Sequence, residues 1–372
     1  MTINRFLPLT SCLSSSPVKF VVSSRPNSLL LDSLSQIVLG AAVGEIALGK
    51  KIGNWGQFIG AIAGTVPDLD VFLGPLFTDE ITKLQIHRGY SHSMFVHMLL
   101  ALPFAWITYR IFKKKISYAR WYLVWFLCLF THALLDCCTT YGTQLLLPFT
   151  NYLIGFNNIA VIDPFWTLPF MFILMVCLFI RRENPKRLRW AYAAVTYSLL
   201  FMGYTFINKY IVHRHFEKEL ARQHITVDAL YTSPSMFNNW LWSGIATTND
   251  SIYLAEYSLL QDRSEVKWIS YARNLDLLKS HPAQRELKVL EWFSQGKYLV
   301  QPVGDELHFF ITKWGRADFR KTEAHETFIF YWRVVQDNGE WKGEPVEPDW
   351  GEGEFSDAWN ALWRRVRTAD EY

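Results

Sequence analysis

The stretch HRGYSHSMFVHMLLALPFAWITYRIF (87–112) joins two unlike chemistries: two histidines and an arginine, then an apolar run long enough to cross a bilayer. Charge is costly to desolvate, so titratable, metal-competent side chains at the threshold of a span need a reason. The same apolar character returns in 119–136, 164–180 and 190–208, and two shorter apolar segments, 33–49 and 56–67, precede them. Gly40 and Gly44, then Gly56, Gly60 and Gly64, recur at helical spacing in the two shorter segments. Such small-residue stripes let helix backbones approach closely in lipid. Ordinary helix packing in a soluble protein is the plain alternative.

Half of the 372 residues are hydrophobic and 16% are aromatic, too apolar for a disordered chain. The long apolar runs end near residue 210, after which charged residues recur every few positions. The expected fold class is therefore mainly α: a polytopic helical membrane domain over 32–210, followed by a soluble α+β domain over 211–372. Residues 1–31 are Ser-rich, lack a convincing signal-peptide core, and read as an unstructured leader or an over-extended start. Cys12, Cys128, Cys137, Cys138 and Cys177 show no disulfide framework and no CxxC motif.

Between the apolar runs, the loops RIFKKKISYAR (110–120) and RRENPKRLR (181–189) and the pair Lys50–Lys51 are strongly basic. The positive-inside rule puts all three in the cytoplasm. Alternation then carries PDLD (67–70), HRGYSHS (87–93), HALLD (132–136) and the C-terminal domain to the opposite, non-cytoplasmic side. None of these motifs was needed to fix the topology. The expected location is the bacterial cytoplasmic (inner) membrane. Basic clusters that sit in short loops between the apolar runs argue against a nucleic-acid partner.

His132 and Asp136 at i and i+4 lie on one helix face, which suits two ligands to one cation. A hydrogen-bonded pair without an ion is the alternative. Pro67 ends a helix and leaves Asp68 and Asp70 in the exit turn, where Asp is also common for structural reasons. HRGYSHS adds His87, Arg88 and His92, with Gly89 for a tight turn and Ser91 as the cap of the helix that follows. His97, deeper in the span, reads as a core histidine. Imidazole and carboxylate donors without thiolate suit a divalent metal, zinc first, with manganese or iron as alternatives. Six candidates exceed one catalytic ion, so they fill a two-metal site or some of them act behind the ligands. Arg88 is placed to neutralise a phosphate or a developing oxyanion.

With GTVPDLD (64–70) and HRGYSHS, the runs DSLSQIVLGAAVGEIALGKKIGNW (32–55) and HALLDCCTTYGTQLLLPF (132–149) resemble the family of membrane-bound, metal-dependent hydrolases. That family is also described as inner-membrane-associated hydrolases resembling a LexA-binding protein. The resemblance covers roughly 32–180 closely. It puts Asp68, Asp70, His87, Arg88, His92, His132 and Asp136 on the family's polar signature. Thr139, Tyr141, Gly142 and Thr143 fall on its T-x-Y-G-T stretch, Asp163 on its I-D-P stretch, and Glu45 on a further family acid. What it implies is metal ligation by Asp68, Asp70, His87, His92, His132 and Asp136, with catalytic roles for Arg88, Asp70 and Asp163. Gln36 stands where many members have histidine, and the family's usual start aligns with residue 31. A distant similarity of the family to zinc-dependent phospholipase C favours phosphoester hydrolysis.

The C-terminal part carries no nucleotide loop, nucleophile elbow or metal motif. ETFIFYWRVVQDNGEWKGEPVE (326–347) predicts a hairpin, SIYLAEYSLL (251–260) a strand, and the tail a short amphipathic helix with Trp359 and Trp363 on one face. Ten of the sixteen tryptophans follow residue 213, which fits core packing better than docking to a membrane surface. His308 and His325 read as structural. The leading expectation is a membrane-embedded, metal-dependent hydrolase acting on a phosphoester or lipid-linked substrate at the outer membrane face, in contact with membrane lipid. A non-catalytic scaffold or regulator, its polar cluster purely structural, is the runner-up. A transporter is disfavoured, because the polar residues gather at one face and no internal repeat is visible.

Overall fold

A computed structural model describes residues 27–77, 79–261, 265–316, 328, 330–337, 339–346 and 354–367. Residues 1–26 of the expected 1–31 leader and His325 lie outside these, whereas residues 27–31 are helical. Helices α1 (Asn27–Ile52) and α2 (Trp55–Thr65) form an antiparallel hairpin in which backbone touches backbone. A Cβ on Gly40 would lie 2.2 Å from the Gly60 carbonyl oxygen, and one on Gly44 2.1 Å from that of Gly56. Only glycine fits at this seam, as the small-residue stripe predicts. Pro67 has no N–H to continue the ladder, and the chain bends by 42° into a 3-10 segment, Pro67–Leu76.

Asp79 caps α3 (Glu80–Ile86) by accepting from the Ile81 and Thr82 N–H groups. A short 3-10 turn, Tyr90–His92, leads into α4 (Met94–Ile111), whose cap is Ser93 rather than the expected Ser91. Next come α5 (Tyr118–Cys138), α6 (Pro164–Met175) with a 3-10 extension to Phe179, and α7 (Pro185–Arg222). Among the described residues three helices, α4, α5 and α7, are long and apolar enough to cross a membrane, and α2 with its bent continuation makes a fourth if taken as one broken span. The expected span over 164–180 is shorter as a helix than its apolar run suggests.

Along α5, Trp121, Val124, Trp125, Leu129, His132 and Asp136 are all buried, which makes it the central helix. Leu99, Trp106 and Ile111 on α4, and Leu199, Leu200 and Ile207 on α7, face outward. Apolar area of this kind costs about 25 cal/mol per Å² against water and nothing against lipid. The three basic loops share one end of the bundle: Arg182 Nη1 donates to the Lys51 carbonyl, and the Trp55 and Phe112 rings meet at 6.4 Å. PDLD, HRGYSHS and the C-terminal end of α5 lie together at the other.

The 38 residues of α7 reach about 57 Å at 1.5 Å per residue. The helix passes the 210/211 boundary without a break, and Val212 and Phe216 pack on the first of two antiparallel sheets. That sheet is the meander β1 (Ala229–Pro234), β2 (Leu241–Thr247), β3 (Ser251–Ser258) and β4 (Ile269–Ala272). Helices α8 (Asp276–Lys279) and α9 (Gln284–Ser294) connect it to the second, β5 (Tyr298–Val303), β6 (Glu306–Ile311), β7 (Tyr331–Asp337) and β8 (Glu340–Val346). The predicted strand is β3, and the predicted hairpin is β7–β8, closing with Asp337 opposite Glu340. The tail helix is α10 (Glu354–Arg367), where the Trp359 and Trp363 rings lie 5.7 Å apart. His308 is structural, bonded to Glu306 at 3.1 Å and packed on Tyr331.

The second sheet does more than form its own core. Ile81 of α3 and Leu153 of the loop after α5 are built into it, and Arg285 of α9 pairs with Asp79. The C-terminal domain thus grips two segments of the membrane domain.

Candidate metal centre

On α5, His132 and Asp136 stand one turn apart and are both buried. The 3-10 segment behind Pro67 brings Asp68 to them, and the Tyr90–His92 turn brings His92. One donor atom from each of Asp68, His92, His132 and Asp136 falls within 4.8 Å of all the others. His92 Nε2 lies 3.1 Å from His132 Nε2, 3.0 Å from Asp136 Oδ2 and 3.5 Å from Asp68 Oδ1. His132 Nε2 lies 3.2 Å from Asp68 Oδ1 and 3.5 Å from Asp136 Oδ2. Around an ion bound at about 2.0–2.1 Å, a donor tetrahedron has edges of about 3.3 Å. The five spacings that involve a histidine nitrogen bracket that value.

The protons point the same way. His132 Nδ1 is 2.6 Å from the Gly64 carbonyl, which can only accept, so Nδ1 carries the hydrogen. Ser91 Oγ donates to Asp70 Oδ2 at 2.6 Å and therefore accepts from His92 Nδ1 at 2.9 Å. In the neutral rings both Nε2 atoms are then bare lone pairs, aimed at one point beside two carboxylates. Asp136 Oδ2, also buried there, receives no hydrogen bond. Four converging groups with 0–18% side-chain exposure could hold a divalent cation.

Asp70 and His87 are not among the four. The Asp70 carboxylate is occupied by the Arg88 N–H (3.1 Å), Ser91 Oγ and His87 Nδ1 (3.2 Å). It orients the donors from behind. His87 sits at the mouth with 28% side-chain exposure. Arg88 is buried, its Nη2 3.5 Å from Asp136 Oδ1 and its Nη1 donating to Thr139 Oγ1 at 3.2 Å. The left-handed residue of this turn is Arg88 (φ +56°), not Gly89. Gly89 is needed for space, since a Cβ there would lie 2.7 Å from the Ile86 carbonyl oxygen.

Asp163 makes no contact with the four donors among the described residues. Its Oδ1 caps α6 through the Phe165 and Trp166 N–H groups, while buried Oδ2 is unpartnered in a cavity lined by Ser35, Thr139 and Trp166. Burial outweighs the two N–H donors and pushes its carboxyl up to about 6. Glu45 lies at the opposite end of the bundle, buried and held by both Nε and Nη2 of Arg187 at 2.6 Å. It is neither a ligand nor a solvated acid. His97 is a core histidine bonded to the Ser91 carbonyl at 2.7 Å.

Sequence reasoning missed three supports: Ser91 as the bridge from Asp70 to His92, the Gly64 carbonyl as partner of His132, and Tyr141 beneath Arg88 at 4.8 Å. Gln36, marked as a departure from the family pattern, donates to Asp136 Oδ1 at 2.9 Å. Its place at the site was signalled by that very alignment.

Residues 31–212 match the YdjM inner membrane protein family. Neither a curated protein nor a solved structure matches the chain. The family match and the outward-facing apolar helices together support an integral inner membrane protein.

Proposed function

We propose that this protein is a metal-dependent hydrolase working at the membrane face, with Asp68, His92, His132 and Asp136 holding one divalent ion. The observation that carries this reading is the convergence of four acceptors, three buried and Asp68 partly so, with the histidine Nδ1 hydrogens committed elsewhere. Such an ion, when bound, supplies Lewis acidity and makes water a competent nucleophile near neutral pH. Imidazole and carboxylate donors without thiolate would suit zinc, manganese or iron.

The remaining roles belong to the chain's own residues. Arg88 offers its guanidinium to anionic oxygens of the substrate. His87, with Nδ1 held by Asp70, carries a proton to or from the leaving group at Nε2. Asp70 orients both His87 and, through Ser91, His92. Asp163 caps α6 beside the cavity beyond Thr139, its carboxyl raised to about 6 by burial. Exposed Leu69, Phe72, Leu73 and Tyr90 neighbour Asp68 and His87 along the chain, which suits a phosphoester carried on a lipid. With the basic loops at the far end, this mouth faces the non-cytoplasmic side.

Metal content of the full-length, detergent-purified protein, set beside His132→Ala and Asp136→Ala at equal folded yield, tests the reading. Near-stoichiometric metal that both variants lose is expected, with hydrolysis of a phosphodiester or a phospholipid in mixed micelles lost in parallel. No metal in the wild type after reconstitution would leave only a structural role for the cluster.

A further inference from the structure

Lys313, just beyond β6, is 1% exposed, and its ammonium has no carboxylate partner among the described residues. Nζ instead donates to the carbonyls of Tyr141 (2.8 Å) and Phe293 (3.1 Å). The ring centroids of Phe293, Trp314 and Tyr141 surround it at 3.5, 4.6 and 5.2 Å. Burial pushes this amine well below the ordinary lysine range. A methionine would fill the same space without desolvating an amine. What lysine adds is direction: two hydrogen bonds, one of which fixes the backbone of Tyr141.

Tyr141 joins the two domains. One side of its ring meets Phe293 at 5.0 Å in the C-terminal domain. Elsewhere it packs against the Arg88 guanidinium at 4.8 Å and the His87 ring at 5.3 Å. The strand of chain after Tyr141 is laced to the same turn, with the Gln144 N–H donating to the Arg88 carbonyl at 3.1 Å and its side chain to Gln85. The whole link runs from a residue outside the family match to two groups beside the four donors.

We propose that Lys313 is a positioning residue: by fixing Tyr141 it seats Arg88 and His87 against the metal centre, so that the C-terminal domain is a structural part of the site. Its functional consequence rests on the hydrolase reading. The mechanical link does not.

The test uses the full chain in detergent, comparing wild type with Lys313→Met, Tyr141→Leu and a control, Phe310→Leu, in a separate part of the C-terminal core. Three quantities are measured: hydrogen exchange of the peptide 85–93, bound metal, and affinity of the metal-loaded protein for inorganic phosphate. Lys313→Met and Tyr141→Leu should keep their metal, exchange faster over 85–93, and bind phosphate about tenfold more weakly, the loss expected when one charge-assisted contact is misaligned. Phe310→Leu should lower the melting temperature without either change. Wild-type exchange and phosphate affinity in either folded test variant overturns the proposal, as does the same response in the control. If the wild type takes no metal, the hydrolase reading fails, and exchange over 85–93 alone decides whether Lys313 positions the turn.

Discussion

Asp163 shows how a single carboxyl can be read in two ways. Its I-D-P setting marks a helix start, and the structure bears this out, since Oδ1 takes the Phe165 and Trp166 N–H groups. Oδ2 has no such partner and is buried. With a folded-state value of about 6 against an ordinary 3.8, the carboxyl keeps its proton in the folded protein after the unfolded chain has released it. The resulting stability is complete below pH 4 and is lost as pH rises through 6, amounting to roughly 2–3 kcal/mol. Asp163→Asn keeps the capping oxygen and removes the titration. The variant should therefore gain melting temperature relative to wild type between pH 4 and 7 and hold that gain above; superimposable pH profiles would refute the assignment. At this scale His132 and Asp136 were legible because i, i+4 spacing fixes their relation before any fold is known. His87 and His92 were not separable, because which one turns inward depends on the left-handed Arg88 and on the Ser91 bridge, and neither has a sequence period.

Among the elements, the α1–α2 hairpin is the one whose packing reaches the chemistry. Its glycine seam brings α2 to the point where the Gly64 carbonyl fixes the tautomer of His132 at 2.6 Å. Gly60→Ala would drive a Cβ to 2.2 Å from the Gly40 carbonyl oxygen, with backbone on both sides and no flexible side chain to yield. The helices must separate. The expected cost is about 3 kcal/mol, read as a lower melting temperature, accompanied by weaker metal retention as Gly64 moves away from His132. Lost stability with wild-type metal affinity would show that the seam supports the fold and leaves the site alone. The stripe itself was plain in the sequence, because small residues every fourth position describe one helix face. The 42° bend was only half legible: Pro67 announces a break, but its angle is set by how Asp68 and Asp70 engage partners from later segments.

Taken whole, the molecule has a polar end and a basic end. The apolar runs, the α+β C-terminal half and the common face of PDLD, HRGYSHS and HALLD could all be read from sequence pattern and loop charge. The grip of the C-terminal domain on the site loops could not, because Ile81 against Gly343 and Asp79 against Arg285 pair residues more than two hundred positions apart, and nothing periodic announces such contacts. Orientation is the property that most constrains the substrate, and it rests on charge. Lys51, Lys114 and Arg182 lie in the loops gathered at one end, and Asp305 lies in the turn between β5 and β6 beyond the other. A single cysteine placed at Lys114 or at Asp305, in a chain cleared of its native cysteines, should separate the two sides. With a membrane-impermeant maleimide, Asp305→Cys should label in spheroplasts, whereas Lys114→Cys should label only after the membrane is opened. The reverse pattern would turn the candidate metal centre toward the cytoplasm, and under the proposed function its substrate would then be sought among soluble phosphoesters and not in the outer leaflet.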